Sequence, residues 1–145
     1  MTSTAPELAL VMACLCRPLD EQARVRIAEL ASSPLGWERL LGWTRRHRVT
    51  SLVFDALGHV EDSKVPPAIF DRLRSAARLM GFTSLQQIAA TARLMRALAE
   101  ADIGALVLKG PVLSQIAFGS PTLRDSSDID LLIEPAAFVR ANVIL

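Results

Sequence analysis

The sequence predicts an α+β fold, in which a helical N-terminal part is followed by the start of a small mixed sheet with flanking helices. Apolar residues recur at helical spacing in one segment after another from residue 5 to about residue 100. After Gly104 the pattern changes to short, continuous apolar runs, which are typical of buried strands. We therefore divide the chain into a helical region, residues 1–100, and a β-α-β-α region, residues 101–145.

Local signals bound the helices of the first region. Asp20 is predicted to be the N-cap residue of the second helix, and a break in the last helix is predicted near Gly81. The predicted core joins Trp37, Leu40, Leu41 and Val53 to the last helix through Leu73 and Leu79. The predicted helices are Glu7–Cys16, Glu21–Ala31, one that starts at Trp37 and is closed by the basic residues Arg45–Arg48, Ser51–Leu57 and Pro67–Ala101.

The second region begins with an apolar strand pattern over Ala105–Leu108 that ends at Lys109 and Gly110. Proline is favoured in the first turn of a helix, so Pro111 is expected to begin one. We expect the two strands to lie side by side, because both carry apolar residues that need burial. The predicted elements after the first strand are a helix over Pro111–Phe118, a loop over Gly119–Ser127, a strand over Asp128–Glu134 and a helix over Ala136–Val143.

Composition excludes several classes of protein. The 145 residues carry a net charge of +1, which argues against a strongly basic nucleic-acid binder. Charged residues interrupt every apolar run before the roughly 18 residues that a membrane span needs, and Met1–Glu7 lacks the basic start of a secretory signal. We therefore expect a cytoplasmic protein without a membrane partner. Cys14 and Cys16 are poorly placed to bridge each other, and we interpret both as buried apolar residues.

Two carboxylates stand out in the second region. Asp128 and Asp130 are two residues apart on a predicted strand, so their side chains should project to the same side, with Ile129, Leu131 and Ile133 facing the core. Neighbouring carboxylates repel each other unless a proton, a hydrogen bond or a cation relieves them. Mg²⁺, or Mn²⁺ in its place, suits carboxylate oxygens together with substrate phosphates. In the alternative interpretation, Asp128 is a turn residue and Asp130 is merely solvated.

Lys109 and Gly110 lie where a strand passes into a helix. Glycine allows close backbone approach, and a helix N-terminus offers N–H groups to an anion. Lys109 is one of only two lysines beside 14 arginines, which suggests a compact charge that faces phosphate. Arg124, four residues before Asp128, could add a phosphate contact or pair with a carboxylate. The alternative is an ordinary turn at the end of a strand.

Together these residues resemble the uncharacterised bacterial nucleotidyltransferases of the DNA polymerase β superfamily. The resemblance rests on Leu108–Gly110, Arg124 and Ser127–Ile133, and more weakly on Trp37–Val49. It implies transfer of a nucleoside monophosphate from an NTP, with release of pyrophosphate. Asp128 and Asp130 would then be the catalytic metal ligands. Lys109, Gly110, Arg124 and Ser127 would serve nucleotide binding, with Ser127 shaping the turn that delivers Asp128.

The sequence departs from the superfamily pattern in two ways. The interval from Gly110 to Asp128 is longer than usual, and the third carboxylate of the superfamily lies on a later strand than this chain contains. We therefore expect a truncated or split member that holds the N-terminal portion of the nucleotidyltransferase core. The balanced charge favours a small molecule, a peptide or a protein as acceptor over nucleic acid. The alternatives are a catalytically incomplete remnant that acts as an interaction module, and a helical scaffold.

Overall fold

A computed structural model describes residues 5–61 and 64–144, and it confirms the α+β class: helices predominate and two short strands form one sheet. Residues 1–4, within the predicted non-secretory start, lie outside this description. No helix in the described ranges is long and apolar enough to cross a membrane. The elements are α1 (Pro6–Leu15), α2 (Glu21–Ala31), α3 (Trp37–Arg46), α4 (Thr50–Gly58), α5 (Pro67–Glu100), β1 (Ala105–Val107), α6 (Pro111–Phe118), β2 (Leu131–Ile133), a 3₁₀ turn (Pro135–Ala137) and α7 (Phe138–Ile144).

The chain divides into two compact units, with the boundary between Met80 and Gly81. This boundary falls inside α5, which runs without interruption from Pro67 to Glu100. The break predicted near Gly81 is therefore wrong. A glycine inside a helix costs only about 1 kcal/mol relative to alanine, which the flanking helical residues can offset.

The core of the first unit is built from α1 to α4 and the first turns of α5. The predicted burial of Leu40, Leu41, Val53 and Leu73 is confirmed, whereas Trp37 is only half-buried at the edge of this core. The prediction for Leu79 is wrong, because its side chain is 70% exposed. Six residues after Leu73, at about 100° per residue, Leu79 points away from the buried face of the helix.

Local chemistry explains both ends of the first loop. The Asp20 side chain accepts a hydrogen bond from the Ala23 N–H at 2.8 Å, which confirms the predicted N-cap of α2. Cys14 is buried as predicted, and burial raises the pKa of its thiol to about 12. The prediction that Cys16 is buried is wrong. Because α1 ends at Leu15, Cys16 is its C-cap residue and turns outward into solvent.

A buried carboxylate fixes α1 to the start of α3. Glu7 is 2% exposed, and its Oε1 accepts a hydrogen bond from the Gly36 N–H at 2.8 Å, with Arg39 Nη2 at 3.6 Å. Gly36 is the N-cap residue of α3, so the carboxylate faces the positive end of that helix. Backbone hydrogen bonds, and secondarily Arg39, hold the pKa of Glu7 below its usual range.

The core of the second unit is smaller and lies beneath the sheet. Leu98, Ile103 and Ala141 are buried, and Leu131 and Ile133 of β2 pack against them. β1 and β2 pair with Ala105 opposite Ile133, Leu106 opposite Leu132 and Val107 opposite Leu131. The predicted adjacency of the strands is therefore confirmed. We expected a mixed sheet, but the two strands among the described residues run antiparallel.

Replacing Leu73 by alanine should destabilise the first unit by about 2–5 kcal/mol, because the change leaves a cavity in a packed core. The matched variant Leu79→Ala, on the same helix but exposed, should change the free energy of unfolding by no more than about 0.5 kcal/mol. Urea denaturation followed by circular dichroism measures both. Equal losses from the two variants would contradict the core described above.

Glu7→Gln should lower the melting temperature at pH 7, because the amide lacks the charge that faces α3 and Arg39. A carboxyl whose pKa is lowered on folding stabilises the fold fully above its unfolded value, near 4.5, and loses this effect as the pH falls through its folded value. The difference between parent and variant should therefore be constant above about pH 5 and shrink below pH 4. The control variant Glu61→Gln, which removes an equal charge at an exposed position, should leave the melting temperature at pH 7 close to that of the parent. A difference that grows on acidification would contradict the role given to Glu7.

Candidate functional site

The predicted site residues lie where the β1–β2 ladder ends. Beyond the last strand pair, the Leu108 N–H donates a hydrogen bond to the Asp130 carbonyl at 3.0 Å. The predicted strand over Asp128–Glu134 is too long, since β2 begins only at Leu131. A strand needs a partner, and the chain beyond Leu108 leaves the ladder to enter α6. Asp128 and Asp130 therefore sit in an extended lead-in to β2 rather than on the strand.

Gly110 forms the turn between β1 and α6. Its backbone has φ +70° and ψ −145°, a combination that side chains of L residues rarely allow. A Cβ at this position would meet Ser126 Oγ at 3.5 Å and the Asp128 carbonyl at 3.9 Å. Ser126 Oγ itself donates to that carbonyl at 3.2 Å. The structure thus brings the Gly110 turn to within van der Waals distance of the loop that leads to the two aspartates.

Lys109 meets one of these aspartates directly. Its Nζ lies 3.1 Å from Asp130 Oδ2, and the two side chains are 49% and 31% exposed, respectively. The Oδ2 atom is buried and makes no hydrogen bond within the described part of the chain. The contact is thus a close ion pair whose angles do not fit a hydrogen bond. Sequence reasoning directed Lys109 at phosphate, whereas here it neutralises a carboxylate.

Asp128 is exposed, and the hydrogen bonds described for it are made by its main-chain carbonyl. Its carbonyl accepts from Ser126 Oγ and also from Gln87 Nε2 of α5 at 3.5 Å. That the two carboxylates share one side of the chain stays a prediction. Within the described ranges, no three or more His, Cys, Asp or Glu side chains gather into a group that could hold a metal.

The donors that are present nevertheless suit one kind of ion. Mg²⁺ prefers oxygen ligands and is commonly held by one or two carboxylates, with substrate phosphates and water completing its coordination. Asp130 Oδ2 is buried and has no hydrogen bond among the described residues, so it is an oxygen that such an ion could use. Asp130 therefore fits Mg²⁺ or Mn²⁺ that arrives with a phosphorylated substrate, whereas the part of the Asp128 carboxylate stays a prediction.

Arg124 lies in the loop that connects α6 to β2. Its backbone N–H donates to Ser114 Oγ at 3.1 Å, and Ser114 Oγ in turn donates to the Ser120 carbonyl at 2.7 Å. The Arg124 Nη1 atom is buried and has no hydrogen-bond partner among the described residues. Ser127, the remaining predicted residue, is exposed. The loop therefore fixes the Arg124 backbone and leaves a donor of its guanidinium available to an anion.

Sequence reasoning missed two residues that shape this region, Gln87 and Ser114, and it assigned no role to a third, Ser126. Ser126 lies beside the predicted Ser127, and its position in that serine pair was the available signal. Ser114 lies on the buried side of α6, and the apolar residues around it in the sequence gave no signal that its hydroxyl had a role. Gln87 is 41 residues before Asp128, on a different element, and no local pattern could connect the two.

A family model described as an uncharacterised nucleotidyltransferase matches residues 33–145. The match covers most of the chain, so the protein belongs to this family. It extends well beyond the strand–turn–helix segment and includes α3, α4 and α5. No curated protein and no solved structure matches the chain. Family membership supports a general nucleotidyltransfer function.

Gly110→Ala should destabilise the second unit by about 1–3 kcal/mol, because alanine must adopt a backbone conformation that is strained for a residue with a Cβ. Gly104→Ala is the matched control. It lies just before β1, its Cβ would meet no atom within 4 Å, and its backbone is not in the left-handed region. Urea denaturation of both variants measures the difference. A Gly110→Ala protein as stable as Gly104→Ala would contradict the turn described here.

Proposed function

We propose that the protein is a Mg²⁺-dependent nucleotidyltransferase that transfers a nucleoside monophosphate from an NTP to an acceptor. An oxygen or nitrogen nucleophile of the acceptor attacks the α-phosphorus and forms the new bond. The bond between the α-phosphorus and the bridging α–β oxygen breaks, and pyrophosphate leaves with that electron pair. The proton of the nucleophile passes to solvent or to a base. Mn²⁺ could replace Mg²⁺ in this reaction.

One observation carries the proposal. In a chain that belongs to a nucleotidyltransferase family, Lys109, Gly110 and Asp130 meet at the end of the β1–β2 ladder, beside the start of α6. These three features suit a nucleotide that carries a metal ion. Carboxylate oxygens suit the metal, and an ammonium suits phosphate oxygens. A glycine turn before a helix suits an anion that approaches closely.

The residue roles follow from this arrangement. Asp128 and Asp130 would hold the divalent ion, which neutralises phosphate charge and orients the triphosphate. Lys109 would pair with the triphosphate, and the turn at Gly110, which has no side chain, would let the triphosphate approach the first N–H groups of α6. Pro111 has no N–H, so this cradle has one donor fewer than a helix start without proline. Arg124, whose buried Nη1 has no hydrogen-bond partner in the described ranges, would supply a further donor to a phosphate oxygen.

The acceptor is proposed from charge. The whole chain has a net charge of +1, so it lacks the excess positive charge that attracts a long nucleic acid. A small molecule, a peptide or a protein is therefore the better acceptor class. Incubation with each α-labelled NTP and a fractionated cell extract, followed by detection of the label in small molecules, peptides and proteins, tests this choice. Label found only in RNA or DNA would overturn it.

Mg²⁺ together with an NTP should raise the melting temperature by several degrees, since a ligand at about 100 times its dissociation constant stabilises the folded state by about 2.7 kcal/mol. The double variant Asp128→Asn, Asp130→Asn should abolish this shift. Its metal-free stability should stay within about 1 kcal/mol of the parent's, because the only ion pair that it removes among the described residues, between Lys109 and Asp130, is part-exposed. Differential scanning fluorimetry with the four NTPs in turn makes the measurement.

Two results would overturn the proposal. A shift that survives the double substitution would remove Asp128 and Asp130 from the site. A parent chain that shows no shift with any NTP would favour the alternative, an interaction module without catalysis.

A further inference from the structure

The ion pair between Lys109 and Asp130 occupies an atom that the proposed metal needs. Lys109 Nζ lies 3.1 Å from Oδ2 of Asp130, and this same oxygen is buried without a hydrogen bond in the described part of the chain. We propose that Lys109 is a displaceable internal cation: it holds Asp130 while metal and nucleotide are absent, and it moves to the triphosphate when both arrive together. This inference rests on the proposed function and adds a positioning and regulatory role for Lys109.

The two cations compete for the oxygen. Mg²⁺ binds a carboxylate oxygen at about 2.0–2.1 Å, so an ammonium 3.1 Å from the same atom would lie within about 5 Å of the ion, and the two positive charges would repel each other. Lys109 is able to move, since its side chain is 49% exposed and its charge stands on a flexible four-carbon stem. Metal binding at this oxygen therefore favours opening of the pair.

The new partner of the released ammonium determines how strongly metal binding and nucleotide binding are coupled. If the metal binds alone, Lys109 loses its carboxylate and gains only water. If the metal binds with an NTP, Lys109 exchanges one anion for another. Metal and nucleotide should therefore strengthen each other's binding, and by linkage the factor is the same in both directions. The pair thus disfavours a site loaded with metal alone.

The chain offers an internal reference for testing this idea, because its only other lysine, Lys64, is exposed in the first unit. The full chain is acetylated briefly with an amine-reactive reagent, and mass spectrometry measures the ratio of modified Lys109 to modified Lys64. Addition of Mg²⁺ alone should raise this ratio about two- to fivefold, the factor expected when a part-exposed ion pair opens. Further addition of a mixture of ATP, GTP, CTP and UTP should lower it again.

Three variants sharpen the result. Asp130→Asn should show a high ratio from the start and no rise with Mg²⁺, because its pair is already absent. Lys109→Met should bind Mn²⁺ alone about two- to fivefold more tightly than the parent, measured as the loss of the paramagnetic resonance signal of free Mn²⁺. Lys64→Met, which removes an equal charge elsewhere, should bind Mn²⁺ as the parent does.

The outcomes separate this inference from the proposed function. If Mg²⁺ with NTP stabilises the parent but Mg²⁺ alone leaves the Lys109 ratio unchanged, Lys109 does not compete with the metal and only the present inference is overturned. The same holds if Lys109→Met and Lys64→Met bind Mn²⁺ equally. If neither metal nor nucleotide changes the melting temperature or the ratio, both proposals fail together.

Discussion

The antiparallel register between β1 and β2 decides which side chains meet at the end of the sheet. Because side chains alternate along a strand, a shift by one residue would turn Leu131 and Ile133 towards solvent and Leu132 inward. Leu131 and Ile133 pack on the small core around Leu98, whereas Leu132 is exposed, so burial favours the observed register. That register places the Asp130 carbonyl opposite the Leu108 N–H. The position of Asp130 at the end of the ladder thus depends on the apolar contacts of Leu131 and Ile133.

The turn at Gly110 then brings the candidate site residues together. Only three residues separate the end of β1 at Val107 from the first residue of α6 at Pro111. The positive φ of Gly110 completes the turn in that short span and brings its backbone beside Ser126 and the Asp128 carbonyl. Lys109 is therefore carried past the strand end into reach of Asp130. A longer connection would satisfy the same strands and the same helix without gathering these groups.

Local signals made part of the fold predictable from sequence. The predicted bounds of α2 and α6 agree with the structure because Asp20 caps the first and Pro111 and Gly119 delimit the second. The length of β2 was not predictable in this way. A strand ends where its partner ends, and the pattern of apolar residues in one strand does not show where the other strand ends. The candidate residues at the turn were found from spacing and resemblance. The ion pair between Lys109 and Asp130 was not found in this way, because a contact between residues 21 positions apart depends on the tertiary fold.

Two carboxylates of this chain illustrate why burial alone does not mark a site. Glu7 is the more buried, but its Oε1 is held by the backbone N–H of Gly36, a partner that no ligand can displace without opening the start of α3. Asp130 is less buried, and within residues 5–61 and 64–144 the partner of its Oδ2 is an ammonium on a flexible side chain. A carboxylate bound to backbone stabilises the fold, whereas one bound to a movable cation can exchange that cation for another. This difference in partner, and not the degree of burial, is the reason that Asp130 rather than Glu7 enters the proposed metal site.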